Sequence, residues 1–230
     1  MNFHHELVEH LDINNIDSDT GRFYVNESGD RFPSVTTFLG AMLDKSGLDE
    51  WRARVGEEEA NRATNRGARR GTALHLVCEK YVLNEPLPAM MPSVQMLFAQ
   101  VKPVLDKRLN SVIACEVPLM SNHLRLGGRC DLVCRFDGKR SILDFKTTNW
   151  AKDMQMLEGY FIQETAYAIM YEECYGTPIT QLVTVSAGDS EHEAQVVIEH
   201  RDAWAPKLIA LLDKYHTQRE LVNAERHKIF

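Results

Sequence analysis

The sequence predicts a mixed α/β (α+β) domain in which helices flank a central mixed sheet. Three observations predict it. Residues 1–110 are mostly of helical period. Residues 111–199 alternate apolar and polar positions in strand-length runs around one helical stretch, and residues 200–230 return to an amphipathic helix. A chain of 230 residues can bury one sizeable core, so a single domain is expected.

The elements follow in order. Residues 20–32 read as a short hairpin turning at Ser28-Gly29-Asp30. Ser34 then stands as an N-cap before a helix carrying Phe38, Leu39, Met42 and Leu43 at helical spacing. Residues 49–64 and 68–84 read as two further helices, the second with an apolar stripe of Ala73, Leu74, Val77 and Tyr81. A helix near 93–109 should be kinked by Pro103. Residues 112–117, 129–136 and 140–147 read as strands, 155–175 as a helix, 179–187 and 193–199 as a strand pair, and 202–221 as the last helix.

Composition bounds the function. Hydrophobic residues make up 44% and charged residues 26%, ordinary for a folded soluble enzyme. No apolar run approaches the ~20 residues that span a bilayer, so no membrane partner is expected. Met1 to Gly21 has neither a basic-then-apolar leader nor the Arg content of a transit peptide, which leaves a cytoplasmic expectation. Five cysteines, an odd number, argue against a disulfide framework, and Cys130 and Cys134 read as small core residues. The net charge of −7 argues weakly against a polyanionic partner, yet six arginines fall between Trp51 and Arg70. No phosphate-binding glycine loop with Lys and Ser or Thr is present, so no ATP chemistry is expected.

The chemistry concentrates in one hairpin. Asp137-Gly138 between two alternating runs is a two-residue turn signal. That turn pairs Phe136 with Lys139, and places Asp131 opposite Asp144 and Arg129 opposite Lys146. A three-residue turn would undo the register. Opposed carboxylates repel across a ladder, and their strand neighbours here are apolar. A divalent cation reverses the sign of that interaction, since hard ions take carboxylate oxygens and keep positions open for water and phosphate. Lys146, on the same face as Asp144, can position a water or stabilise developing negative charge.

The residues around this hairpin extend the pattern. Gly127-Gly128-Arg129-Cys130-Asp131 followed by Ile142-Leu143-Asp144-Phe145-Lys146-Thr147-Thr148 resembles the core of the PD-(D/E)xK nucleases. Gly71-Thr72-Ala73-Leu74-His75 upstream and Gln163-Glu164-Thr165-Ala166-Tyr167 downstream resemble the G-x-x-x-H and Q-x-x-x-Y helices of the RecB-like exonuclease branch, which includes mitochondrial genome maintenance exonucleases and phage relatives. The resemblance implies a restriction-endonuclease-like core and a metal-dependent DNA exonuclease that prefers single strands or free ends. Asp131, Asp144, His75 and the Phe145 carbonyl would hold Mg²⁺ or Mn²⁺. Lys146, Gln163 and Tyr167 would complete the catalytic group.

Further assignments follow from position. Glu116, on the preceding strand, is either a supporting or second-metal carboxylate or an edge-strand surface residue. Pro33-Ser34-Val35-Thr36-Thr37 also resembles a segment near the N-terminus of these exonucleases, and the resemblance implies DNA phosphate contacts for Ser34, Thr36 and Thr37, with helix capping as the alternative. Arg66, Arg69, Arg70 and Thr147 are further DNA contacts. Trp150, Trp51 and Tyr81 are stacking candidates for bases, Trp150 foremost. Some relatives carry an iron–sulfur cluster with three Cys near the C-terminus; no Cys follows Cys174, so none is expected. Recombination, repair or phage replication, with the proteins of those processes as partners, are the implied settings. The length suits a standalone enzyme. Competing readings are an endonuclease of the same fold, a non-cutting nucleic-acid-binding module, and a hydrolase of small phosphates.

Overall fold

A computed structural model describes residues 2–148 and 154–227. The main sheet has six strands in the order β1-β5-β6-β7-β8-β9: His4–His5, Leu109–Ser121, Leu126–Phe136, Lys139–Thr148, Gln181–Gly188 and Gln195–His200. The sheet is mixed. β1 runs parallel to β5 and β7 parallel to β8, while β5, β6 and β7 are antiparallel, as are β8 and β9. Parallel neighbours need a long crossover, and helix α5 (Met154–Tyr175) supplies it between β7 and β8. A separate three-stranded sheet joins β2 (Asn14–Ser18), β3 (Gly21–Val25) and β4 (Arg31–Pro33).

Two apolar cores lie on the two faces of the main sheet. On one, α3 (Glu57–Val82) and α4 (Pro92–Arg108) place Leu74, Val77, Leu97, Val101 and Leu105 against Val112, Leu132, Leu143 and Val183. On the other, α1 (Val35–Met42), α5 and α6 (Arg201–His227) place Phe38, Ile162, Tyr171 and Leu208 against Val117, Val133, Ile142 and Leu182. The alternation of strand residues between the two cores is what makes β6 and β7 nearly continuous apolar runs. No described helix is long and apolar enough to cross a membrane.

The expected elements are present, with adjusted bounds. The helix break falls at Gly56, between α2 (Ser46–Val55) and α3, rather than near residue 66. Gly56 takes a φ of 86°, which L side chains rarely adopt, whereas Gly67 and Gly71 stay inside α3. The two-residue turn is also present: Asp137 and Gly138 both have positive φ, and Phe136 pairs with Lys139. Strands β1 and β2 were not expected from sequence. Their two and five residues carry no clear alternation, and all five positions of β2 are exposed.

Candidate active site

The ladder between β6 and β7 keeps the expected register from Phe136↔Lys139 to Leu132↔Leu143 and then stops, one position short of Asp131 and Asp144. There the Phe145 N–H donates to Asp131 Oδ2 at 3.0 Å, so a side chain takes the place of the backbone bond. Arg129 does not sit across from Lys146. It pairs instead with Glu116 at 2.7 Å, because β6 stays hydrogen-bonded to β5 through Pro118↔Arg129 while it parts from β7. The opening between the strands is the floor of the site.

The two carboxylates face different helices. Asp131 turns to α3, where its Oδ2 lies 3.3 Å from His75 Nδ1. Asp144 turns to α5. Its Oδ1 accepts from Gln163 Nε2 at 3.2 Å, and Lys146 Nζ lies against its Oδ2. Gln163 Oε1 is 3.5 Å from the same ammonium. Gln163 Nε2 also reaches the Tyr167 hydroxyl at 3.3 Å, as expected of residues four apart on a helix. The Lys146 ammonium rests over the Tyr160 ring at 4.9 Å.

Glycine makes this packing possible at Gly128. A Cβ there would come within 2.5 Å of the Tyr167 ring, a distance real Cβ atoms do not show. Gly71 is different. A Cβ would meet Thr147 Oγ1 at 3.5 Å, an ordinary contact, so packing does not demand glycine at this point of the cleft wall.

Burial and charge set the protonation of the group. Burial raises the Asp144 carboxyl, Lys146 opposes it and Asp131 adds to it, leaving a pKa of about 6. Burial pushes Asp131 the same way, but the His75 hydrogen bond and charge outweigh it and hold the carboxyl below its ordinary value. Burial lowers His75, yet Asp131 carries it up to about 9. Lys146 is likewise lowered by burial but raised overall by Asp144 and Asp131. Without a cation, the group is a buried cluster in which His75 and Lys146 hold protons against the carboxylates.

These side chains line a cleft of about 620 Å³. One wall is α3, with Ala68, Gly71, Thr72, His75 and Glu79; the other is Arg22 and Tyr24 of β3 with Ser34 and Thr36. His75, Glu116 and Asp131 each offer a ligand atom, all within 4.8 Å of one another. An octahedral Mg²⁺ with bonds near 2.1 Å spans about 4.2 Å between opposite ligands, so a small inward movement would close these donors on one ion. The carboxylates suit Mg²⁺ or Mn²⁺, while the imidazole is a commoner ligand of transition metals than of Mg²⁺.

The remaining expected residues are placed as follows. Ser34 caps α1, accepting from the Thr37 N–H at 3.0 Å, and its hydroxyl also contacts Thr36 and Thr37. Ser34 and Thr36 nonetheless line the cleft, whereas Thr37 packs against Gly21 and Arg22. Arg70 is held by both oxygens of Asp189 at 2.5 Å, and Arg66 lies 3.6 Å from Glu59. Arg69 is exposed with no ion pair among the described residues. Tyr81 packs edge-on against Phe3 and Phe98 and bonds Asp106, away from the cleft lining. Trp51 is half-buried on α2, and Trp150 lies outside the described residues.

Sequence reading missed Glu164. It is fully buried beside Gln163, accepts from Thr184 Oγ1 at 2.5 Å and leaves Oε2 without a partner. Burial, with Asp144 next, raises its carboxyl well above the ordinary range. A charged residue type on the apolar face of α5 was the available signal. Arg22 and Tyr24 in the cleft wall were also missed; they come from β3, a strand distant in sequence from the catalytic hairpin.

Comparison with known proteins gives the following. The family model of the PD-(D/E)XK nuclease superfamily matches residues 41–226. No curated protein matches the chain. Among solved structures, a "putative exonuclease" from Eubacterium rectale aligns at 11% identity and a TM-score of 0.43, covering 65% of each chain. The protein SSO0001 aligns at 14% identity and a TM-score of 0.34, covering 54% of this chain and 58% of that one. The chain thus spans about two thirds or less of the solved chains it resembles.

Proposed function

The chain belongs to the PD-(D/E)XK nuclease superfamily, and from that premise we propose that it is a Mg²⁺- or Mn²⁺-dependent DNA exonuclease acting on free ends, with single strands preferred. One observation carries the reading: Asp131, Asp144, Lys146, His75, Gln163 and Tyr167 converge on the floor of one cleft from two strands and two helices. A divalent ion held by His75, Asp131, Asp144 and the Phe145 carbonyl would polarise the scissile phosphate and lower the pKa of a bound water. The protein's own groups do the rest. Gln163 holds Asp144 and Lys146 in fixed relation. Lys146 presents positive charge where the phosphate gains negative charge. Tyr167 fixes the Gln163 amide.

The strand path runs between α3 and the wall of Arg22, Tyr24, Ser34 and Thr36, with Arg69 and Arg129 as exposed cations for phosphates. Thr147, Arg66 and Arg70 stay as outer contacts, and Arg70 would first have to leave Asp189. Recombination, repair or phage replication in the cytoplasm, beside the proteins of those processes, are the settings this activity suits.

Exonuclease and endonuclease readings separate on substrate topology. End-labelled linear DNA, single- and double-stranded, is incubated beside closed single-stranded circles with Mg²⁺, Mn²⁺ or EDTA. Loss of linear DNA alone, with metal only, is the expected result, and the labelled end gives polarity. Cutting of circles makes the enzyme an endonuclease.

A further inference from the structure

We propose that Glu164 and Thr184 form a positioning pair for the catalytic group: their buried hydrogen bond seats α5 on β8 so that Gln163 meets Asp144. The inference rests on the nuclease reading and adds to it two residues that act through Gln163.

The face of the sheet beneath α5 carries the pattern. Ile142 of β7 pairs with Leu182 of β8, and both enter the core shared with α5. Two residues on, Asp144 pairs with Thr184. Strand alternation keeps all four on one face. Thr184 is buried and does not line the cleft, so it is no contact for DNA. Helix α5 answers this ladder pair with consecutive residues. Gln163 Nε2 donates to Asp144 Oδ1 at 3.2 Å, and Glu164 Oε1 accepts from Thr184 Oγ1 at 2.5 Å. Two neighbours on one helix thus grip two partners across one ladder.

Packing alone does not call for this pair. Glu164 is fully buried, and its Oε2 has no hydrogen-bond partner among the described residues. A polar atom buried in that way destabilises a fold, and apolar side chains of the same shape at both positions would be neutral or better. What the bond supplies is a fixed separation. Apolar contacts let a helix settle by fractions of an ångström, whereas a hydrogen bond holds its donor and acceptor within a narrow range of distance and angle. Gln163 needs that constraint, because it serves Asp144, Lys146 and the Tyr167 hydroxyl at once. A small misplacement of such a group is costly to the reaction.

The test separates activity from stability. Single-turnover cleavage of linear DNA with Mn²⁺ and thermal melts are measured for the full-length protein and its variants. Glu164→Leu combined with Thr184→Val removes both polar partners. It should melt no lower than wild type and cut at least ~10-fold more slowly. Thr184→Val alone, which fills the same space without the hydroxyl, should also slow cleavage. Glu164→Gln keeps an oxygen for the Thr184 hydroxyl and should recover most of the rate. In a Gln163→Ala background the combined change should cost no more than a further ~2-fold, because the pair acts through Gln163. A combined variant that cuts at the wild-type rate, a full further loss without Gln163, or a Glu164→Gln rate as low as that of the combined variant overturns the positioning pair and leaves the nuclease reading standing. A wild type that cuts no DNA overturns the nuclease reading, and the pair's role with it.

Discussion

Gln163 Nε2 donates to Asp144 Oδ1 at 3.2 Å, so the amide from α5 fixes the carboxylate that Lys146 also touches. Gln163→Glu keeps the shape and removes the donor, placing a second carboxyl against Asp144. Cleavage should fall about 10- to 100-fold, the usual cost of losing a partner that orients a metal-binding side chain. Single-turnover rates at saturating Mn²⁺ measure it. An unchanged rate would mean that Asp144 needs no such support.

Tyr167 serves Gln163 with its hydroxyl and Gly128 with its ring. Tyr167→Phe removes one hydrogen bond and keeps the packing, so cleavage should drop about 2- to 10-fold with little loss of stability. Gly128→Ala does the reverse. Its Cβ meets the ring at 2.5 Å, and urea denaturation should show a loss of about 1–3 kcal/mol.

The His75–Asp131 pair gives the ion-free protein a defined pH dependence. The folded His75 pKa, about 9, is raised above its ordinary 6.5. Its stabilisation is therefore complete below pH 6.5 and is lost as pH rises through 9. In EDTA, the gap in melting temperature between wild type and His75→Gln should be widest below pH 6.5 and close by about pH 10. Mn²⁺ binding, which takes the neutral imidazole, should tighten over the same window. A gap that widens with pH would contradict the pairing.

Arg69 and Arg70 are neighbours with different prospects. Arg69 is exposed and unpaired among the described residues, while Arg70 is held by Asp189. Arg69→Ala should reduce the slope of log affinity for single-stranded DNA against log salt by about 0.7, the value for one phosphate contact. Arg70→Ala should reduce the slope by less than Arg69→Ala, because its guanidinium must first leave Asp189 to reach a phosphate. Filter binding across a salt series with an inert Asp144→Asn background measures both.

Much of this site could be read from the sequence because its signals are local. Asp137-Gly138 sets the register that brings Asp131 and Asp144 to one end of the hairpin. Fourfold spacing puts Gln163 beneath Tyr167. The superfamily resemblance matches the family found over residues 41–226. What escaped depends on departures from periodicity or on distant contacts. The strands part at Asp131, so the ladder pair expected there is replaced by a side-chain bond. The αL turn at Glu116 has no glycine to announce it. Arg70 meets Asp189 across 119 residues, and Tyr24 reaches the cleft only through β3.

The central claim is that Asp144 and Lys146 form a metal-dependent phosphodiesterase centre. Cleavage of linear DNA by wild type, Asp144→Asn and Lys146→Ala is followed under single-turnover conditions with Mn²⁺ and with EDTA. Activity in wild type with Mn²⁺ only, and at least ~100-fold lower in both folded variants, is the predicted result. Cleavage that survives EDTA, or that is indifferent to both substitutions, would contradict it.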